Sequence, residues 1–302
     1  GKKKKGQERQ IVRVRMRSFA AWERGARDAQ TKGKKTLLPL MELRHHLTRH
    51  NDFLDIFSVL AVHGSCSTLD YGYFSDVDFL VVLKRRTVLD PALLIASRDA
   101  VVSGRTYQDL FNPWNHHGML TLSDIDLAHY RTTFLPIETL RRATMFYPAA
   151  STMELGLVRE SDENKVLRRE KTVRKLHYIM GLKPKNLYEL LDKISSFLLI
   201  PSLFLAQRGV LLYKKDSFAR VQPCLTTKEA AMLKEVEATR SGWPFYPKRP
   251  YSLRKAAHKL INPLLWKAIM QYSRIFHYGE IRQYDHVLEN INKLSASFLK
   301  KV

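Results

Sequence analysis

The chain has 302 residues, enough for two domains, and 45% of them are hydrophobic, which excludes global disorder. A formal net charge of +22 points to a polyanionic partner such as RNA, DNA or an anionic membrane surface. Two cysteines, Cys66 and Cys224, exclude a disulfide framework and a paired-cysteine zinc site, and no apolar run reaches the length of a membrane span. With no secretory signal visible, the reading is an intracellular protein, cytoplasmic or in an organellar matrix, with no membrane insertion.

Residues 1–35 carry thirteen Lys or Arg against three acids. Lys2, Lys3, Lys4 and Lys5 form a charge run, and Arg9, Arg13, Arg15 and Arg17 follow among Ile11, Val12, Val14 and Met16. This stretch is expected to be a basic arm that binds nucleic acid. Residues 37–50 have helical spacing, and 57–63 (FSVLAVH) read as a buried strand. Residues 78–83 (DFLVVL) predict a second strand, 90–102 a helix with Pro91 in its first turn, and 118–122 (GMLTL) a third strand. Residues 136–147 predict another helix. The expectation for 36–148 is a small mixed α/β domain.

The character changes beyond residue 148. Segments 162–180, 185–207, 227–240, 253–276 and 280–299 all have a period near 3.6, with Gly181, Pro184, Gly209 and Pro223 as breakers. The fold class expected is α/β, followed by an all-α helical domain over 149–302.

The chemistry is concentrated in HGSCSTLDYGYFSDVDFLVVL, which starts at His63. It runs strand, Gly-Ser turn, loop, then a second strand. Gly64 has no Cβ, so its backbone can approach a phosphate closely. Ser65 can offer its hydroxyl and N–H to terminal phosphates. Asp76 and Asp78 are two apart, so in extended chain both carboxylates share a face. Paired carboxylates suit Mg²⁺ or Mn²⁺, hard cations that bridge substrate phosphates and can clamp an in-line displacement. A solitary Asp-x-Asp is commonly a solvated strand start. Here Asp78 leads directly into an apolar run, where a carboxylate is costly without a cation or hydrogen bonds.

Gly64-Ser65, then Ser75-Asp76 eleven positions on, then Asp78 and an apolar strand resemble the polymerase-β-like nucleotidyltransferase superfamily. The resemblance covers about twenty residues. It implies metal-dependent transfer of a nucleoside monophosphate from an NTP to an acceptor, with pyrophosphate released. It assigns metal binding to Asp76 and Asp78, and nucleotide binding to Gly64, Ser65 and Ser75. Many members place a second glycine five residues after the first, where this chain has Leu69, with Gly72 three residues further on.

The resemblance also implies a third carboxylate on the adjacent strand, here 118–122. If the site lies at that strand's far end, Asp124 is the candidate. If it lies at the near end, His116 or His117 takes the place. Asp124 and Asp126 could equally be caps or turn residues. The stretch 205–218 resembles a helical-domain segment whose basic residue reaches the nucleotide phosphates, and makes Lys214 and Lys215 candidates. His45, His46 and His50 read as part of a basic helix. Trp243, Phe245, Tyr246 and Tyr251 can stack on bases or pack a loop onto the helices. The charge favours RNA as acceptor, a tRNA or another structured RNA end. A small-molecule acceptor of the aminoglycoside kind and a non-catalytic RNA-binding or assembly protein are the alternatives.

Overall fold

The computed structural model describes residues 9–32, 34, 36–49, 53–72, 75–112, 118–132, 135–149, 151–158, 162–243 and 278–302. The chain divides into two compact units; described residues up to Val158 belong to the first and those from Asp162 onward to the second. No helix among the described residues is long and apolar enough to cross a membrane.

The first unit runs β1 (Arg9–Arg15), β2 (Arg17–Ser18), α1 (Phe19–Thr31), α2 (Leu38–Arg49), α3 (Phe53–Ile56), β3 (Phe57–His63), α4 (Gly64–Thr68), β4 (Asp78–Leu83), α5 (Arg85–Leu89), α6 (Pro91–Phe111), β5 (Leu120–Ser123), α7 (Asp124–Ala128), α8 (Ile137–Arg141), β6 (Thr144–Tyr147) and β7 (Thr152–Val158). A five-stranded sheet has the order β2-β6-β3-β4-β5, with β3 antiparallel to both β4 and β6, and β4 parallel to β5. Its strands are apolar on both faces because both faces are covered. On one side Leu60, Val62, Val77, Phe79 and Val81 pack with Trp22, Leu40, Leu43, Phe111 and Phe146, largely from α1, α2 and α6. On the other, Val59, Ala61, Leu80, Val82 and Met145 meet Val14, Leu127, Tyr130, Leu140 and Leu155. Val14 and Leu155 come from the two-stranded ribbon β1–β7.

Four expectations need correction here. Residues 9–31 are not an arm: β1 pairs with β7, and Trp22 of α1 is fully buried against Phe146, with ring centroids 5.0 Å apart. The first unit does not stop at residue 148, because β7 supplies the ribbon's second strand. Within 136–147 only α8 is helical; Thr144–Tyr147, with β-branched Thr144 and aromatic Phe146 and Tyr147, forms β6 instead. The helix expected to end at 102 continues to Phe111. Its Gly104 is not a breaker but a close-contact point, where a Cβ would come within 2.6 Å of Met119 Cε.

The described helices of the second unit are α9 (Asp162–Gly181), α10 (Leu187–Phe197), α11 (Ile200–Ala206), α12 (Lys214–Val221), α13 (Thr227–Ser241) and α14 (Asp285–Lys301), with 3-10 turns at Gln222–Cys224 and Tyr278–Tyr284. No strand occurs among its described residues, as the periodicity predicts. Leu176, Ile179, Leu190, Ile194, Phe204, Val236, Ile291 and Phe298 are fully buried. Trp243 stacks on Tyr284 at 5.3 Å. The segment 253–276, with Phe245, Tyr246 and Tyr251, lies outside the described residues.

Candidate functional site

The site forms where β3 and β4 end side by side. Their register pairs His63 with Asp78. Gly64 then turns the chain at φ 72°, and α4 follows. A Cβ at Gly64 would come within 2.5 Å of Asp78 Oδ2. The glycine is therefore required twice, for its left-handed backbone and for the carboxylate that occupies the space of a side chain.

Asp76, Val77, Asp78 and Phe79 alternate between half-buried and fully buried. Val77 and Phe79 point into the core shared with α1, α2 and α6, so Asp78 lies on the opposite face of β4, while the Asp76 carboxylate, just before the strand, reaches the end of α6. The entry to β4 is pinned by the last turn of α6. Asn112 Nδ2 donates to Asp76 Oδ1 at 2.7 Å and to the Ser75 carbonyl at 3.4 Å. Gln108, one turn earlier and fully buried, donates from Nε2 to the Val77 carbonyl at 3.0 Å. Cys66 Sγ of α4 donates to the Asp76 carbonyl at 3.4 Å, so the turn and the carboxylate strand are tied together. Sequence reasoning missed Asn112 and Gln108. The signal was present as two amides at i and i+4, but it required α6 to run through Gly104.

The structure separates the expected site residues. Gly64, Ser65, Asp76 and Asp78 come together at this end of the sheet. Ser75 does not face outward with them: its Oγ accepts from Gly72 N at 2.9 Å, closing the turn within the loop. Leu69, where the resemblance places a second glycine, has the left-handed backbone that glycine adopts without cost, at φ 62°.

Asp124 is at the wrong end of β5. The parallel register runs from Leu80↔Leu120 to Leu83↔Ser123, so Asp124 follows the end of β4 opposite to Asp78. There its Oδ1 accepts from Ser58 Oγ at 2.7 Å and its Oδ2 from Arg85 N at 3.4 Å. Asp126 is a cap: Ser123 N and Oγ donate to its Oδ2 at 2.8 and 2.6 Å, completing a capping box on α7. Of the two alternatives for the third ligand, the near end of β5 is the one that adjoins Asp78. Continuing the register two residues toward the chain's start brings Gly118, exposed and with open space where a side chain would stand, beside Asp78. His116 and His117 lie outside the described residues.

Two half-buried carboxylates, one of them held by an amide donor, offer the hard oxygen ligands that Mg²⁺ or Mn²⁺ takes. Among the described residues no cluster of three or more His, Cys, Asp or Glu side chains is arranged to hold a metal. Lys214 and Lys215 open α12 in the second unit. His46 Nε2 lies 3.3 Å from Ser103 Oγ and its ring packs on Tyr107, as part of the α2–α6 contact. His50 lies outside the described residues. Comparison of the chain with protein-family models, with curated proteins and with solved structures finds no match in any of the three.

Proposed function

We propose that the protein is a metal-dependent nucleotidyltransferase that moves a nucleoside monophosphate from an NTP to an RNA hydroxyl, on a tRNA or another structured RNA end. The observation that carries this reading is the close approach of the Gly64 backbone to the Asp78 carboxylate, with the half-buried Asp76 two residues before it. Phosphate oxygens and a divalent cation need those two features side by side. Asp76 and Asp78 would hold the cation, which would supply charge neutralisation for the phosphates. Gly64 leaves room for the Asp78 carboxylate against the turn, Ser65 would donate to the triphosphate, and Asn112 keeps one Asp76 oxygen turned toward α6. In the transfer the acceptor oxygen bonds to the α-phosphorus as the bond to the pyrophosphate oxygen breaks. The rate gain would come from positioning and charge neutralisation.

RNA as acceptor is supported by the +22 charge and by Arg13 and Arg15, exposed at alternate positions of β1. A second reading is a non-catalytic RNA-binding protein that keeps this fold. Gly118 favours it, since no carboxylate stands beside Asp78 at that position. Incubation with each labelled NTP, Mg²⁺ or Mn²⁺ and a pool of cellular RNA separates the two. Label transferred to RNA supports the enzyme. RNA binding with no transfer under any NTP supports the scaffold. Transfer to a small hydroxylated metabolite and to no RNA would move the acceptor to the aminoglycoside class. The RNA contact has its own signature: log affinity should fall with log salt by about 0.7 to 0.9 per phosphate neutralised.

A further inference from the structure

We infer that residues 17–34 act as a brace that sets the shape of the Gly64 turn, with Arg17 and Trp22 as positioning residues. The effect on nucleotide rests on the nucleotidyl-transfer reading; the brace itself does not.

The turn cannot hold its own shape. α4 has five residues, so most of its carbonyls have no partner within the helix. Ser65 O is met locally, by the N–H groups of Leu69 and Asp70. Three of the next four carbonyls along the turn are met by side chains from residues 17–34. Cys66 O accepts from Trp22 Nε1 at 2.9 Å. Ser67 O accepts from Arg17 Nη1 at 2.9 Å. Leu69 O accepts from Lys34 Nζ at 2.6 Å. The fully buried Ser67 hydroxyl donates to the Arg142 carbonyl at 2.7 Å and lies 2.8 Å from Thr144 Oγ1.

The donors are themselves fixed. Arg17 sits in β2, paired with Thr144, and its N–H donates to the Ala143 carbonyl at 2.9 Å. The Trp22 ring is held between Phe19 and Phe146, at 5.7 and 5.0 Å between centroids. α1 also presses on the turn directly, since a Cβ at Gly25 would come within 2.6 Å of Leu69 Cδ1. Leu69 is the residue with the left-handed backbone, a conformation that disfavours any residue with a Cβ. A strained residue persists where its surroundings over-determine it, and here α1 contacts its side chain while Lys34 takes its carbonyl. The same turn reaches the carboxylate strand through Cys66 Sγ. A turn whose shape is set in advance loses less order on binding a ligand. The basic stretch next to β1 is thus committed inward at Arg17, whereas Arg13 and Arg15 face solvent.

The test compares the 302-residue chain with Trp22→Phe, Arg17→Met, Arg17→Lys and Arg98→Met, the last an exposed position on α6. Trp22→Phe keeps an aromatic ring in the core and removes one N–H. Arg17→Met changes an exposed side chain, so it still reports if Trp22→Phe fails to fold. Two quantities are read: amide hydrogen exchange over 64–70, and affinity for each of the four magnesium–NTPs. Trp22→Phe and Arg17→Met should speed exchange over 64–70 by about tenfold while other protected amides of the first unit hold. Each should weaken NTP affinity by about three- to tenfold, and raise KM with kcat within about twofold. Arg17→Lys should recover part of the loss, and Arg98→Met, which removes the same charge away from the turn, should show none. Unchanged exchange in both variants overturns the brace. Faster exchange with unchanged affinity overturns its role in binding. If the wild type binds none of the four nucleotides, the nucleotidyl-transfer reading falls, and exchange alone still decides whether the segment braces the turn.

Discussion

The two ends of β4 carry the same chemistry in opposite states of commitment. At its start, Asp78 is half-buried beside a glycine turn, with open space next to Gly118 on the neighbouring strand. Past its end, Asp124 is consumed by Ser58 and by the N–H of Arg85, two contacts that tie the sheet to its flanking turns. About six residues of strand, or roughly 20 Å, separate these positions. A carboxylate whose oxygens are both taken by protein donors is a structural part. One aimed at the space left by a missing side chain is available for a ligand. The difference lies in the surroundings and not in the residue type.

The sharpest way to break that comparison is to neutralise each end. Asp76→Asn with Asp78→Asn should lower transfer by more than about a hundredfold, since outer-shell partners alone can account for 10- to 100-fold. Its thermal unfolding should stay close to that of the wild type. Asp124→Ala should do the reverse, with transfer within about twofold and a stability loss of about 1 kcal/mol from the Ser58 hydrogen bond. Equal activity losses at both ends would erase the distinction.

Gly64→Ala comes next. The added methyl would meet Asp78 Oδ2 at 2.5 Å on a backbone already at φ 72°. Displacing a ligand carboxylate by about 1 Å should lower turnover by up to about a hundredfold. The left-handed conformation adds about 1–2 kcal/mol of instability. Stability falling alone, with turnover per folded molecule preserved, would show that Asp78 tolerates the shift.

Much of this site was legible in the sequence, because local chemistry determines it. β3 and β4 were bounded by continuous apolar runs, and Gly64, Ser65, Asp76 and Asp78 fall at the ends of those runs. What could not be read depends on register between strands far apart in the chain. Whether Asp124 or the residues before Gly118 adjoin Asp78 is decided by the pairing of Leu80 with Leu120. Asn112 was hidden by Gly104, which resembles a helix breaker until Met119 is placed against it. Residues 1–35 resembled an arm because thirteen Lys or Arg stand there against three acids. The alternation that turns Val12 and Val14 inward while Arg13 and Arg15 stay out only gains meaning once β7 is known to pair with them.

Asn112→Ala tests how firmly the open end is organised from behind. It removes the donor to Asp76 Oδ1 and leaves both carboxylates in place. The concentration of Mn²⁺ needed for half-maximal binding, measured by titration without nucleotide, should rise about tenfold. Turnover at saturating metal should fall much less. A metal affinity equal to that of the wild type would mean that Asp76 is oriented without α6.

A third carboxylate extends the committed class into the second unit, and its effect is the smallest and depends on pH. Glu229 opens α13 in a capping box with Thr226. Burial pushes its pKa up, but donors outweigh it: Lys301 Nζ at 2.9 Å, Ser297 Oγ, and the Thr226 N–H at 2.7 Å. Together they lower the pKa from 4.5 to about 2. A depressed carboxylate binds fewer protons folded than unfolded, so its contribution is complete above 4.5 and is lost as pH falls toward about 2. Glu229→Gln mimics the protonated form and should be less stable than the wild type at neutral pH. The gap between the two should close across that window, as read from hydrogen exchange in α13 and α14. A gap that stays constant with pH would show that Glu229 acts through its shape as a cap and not through its charge.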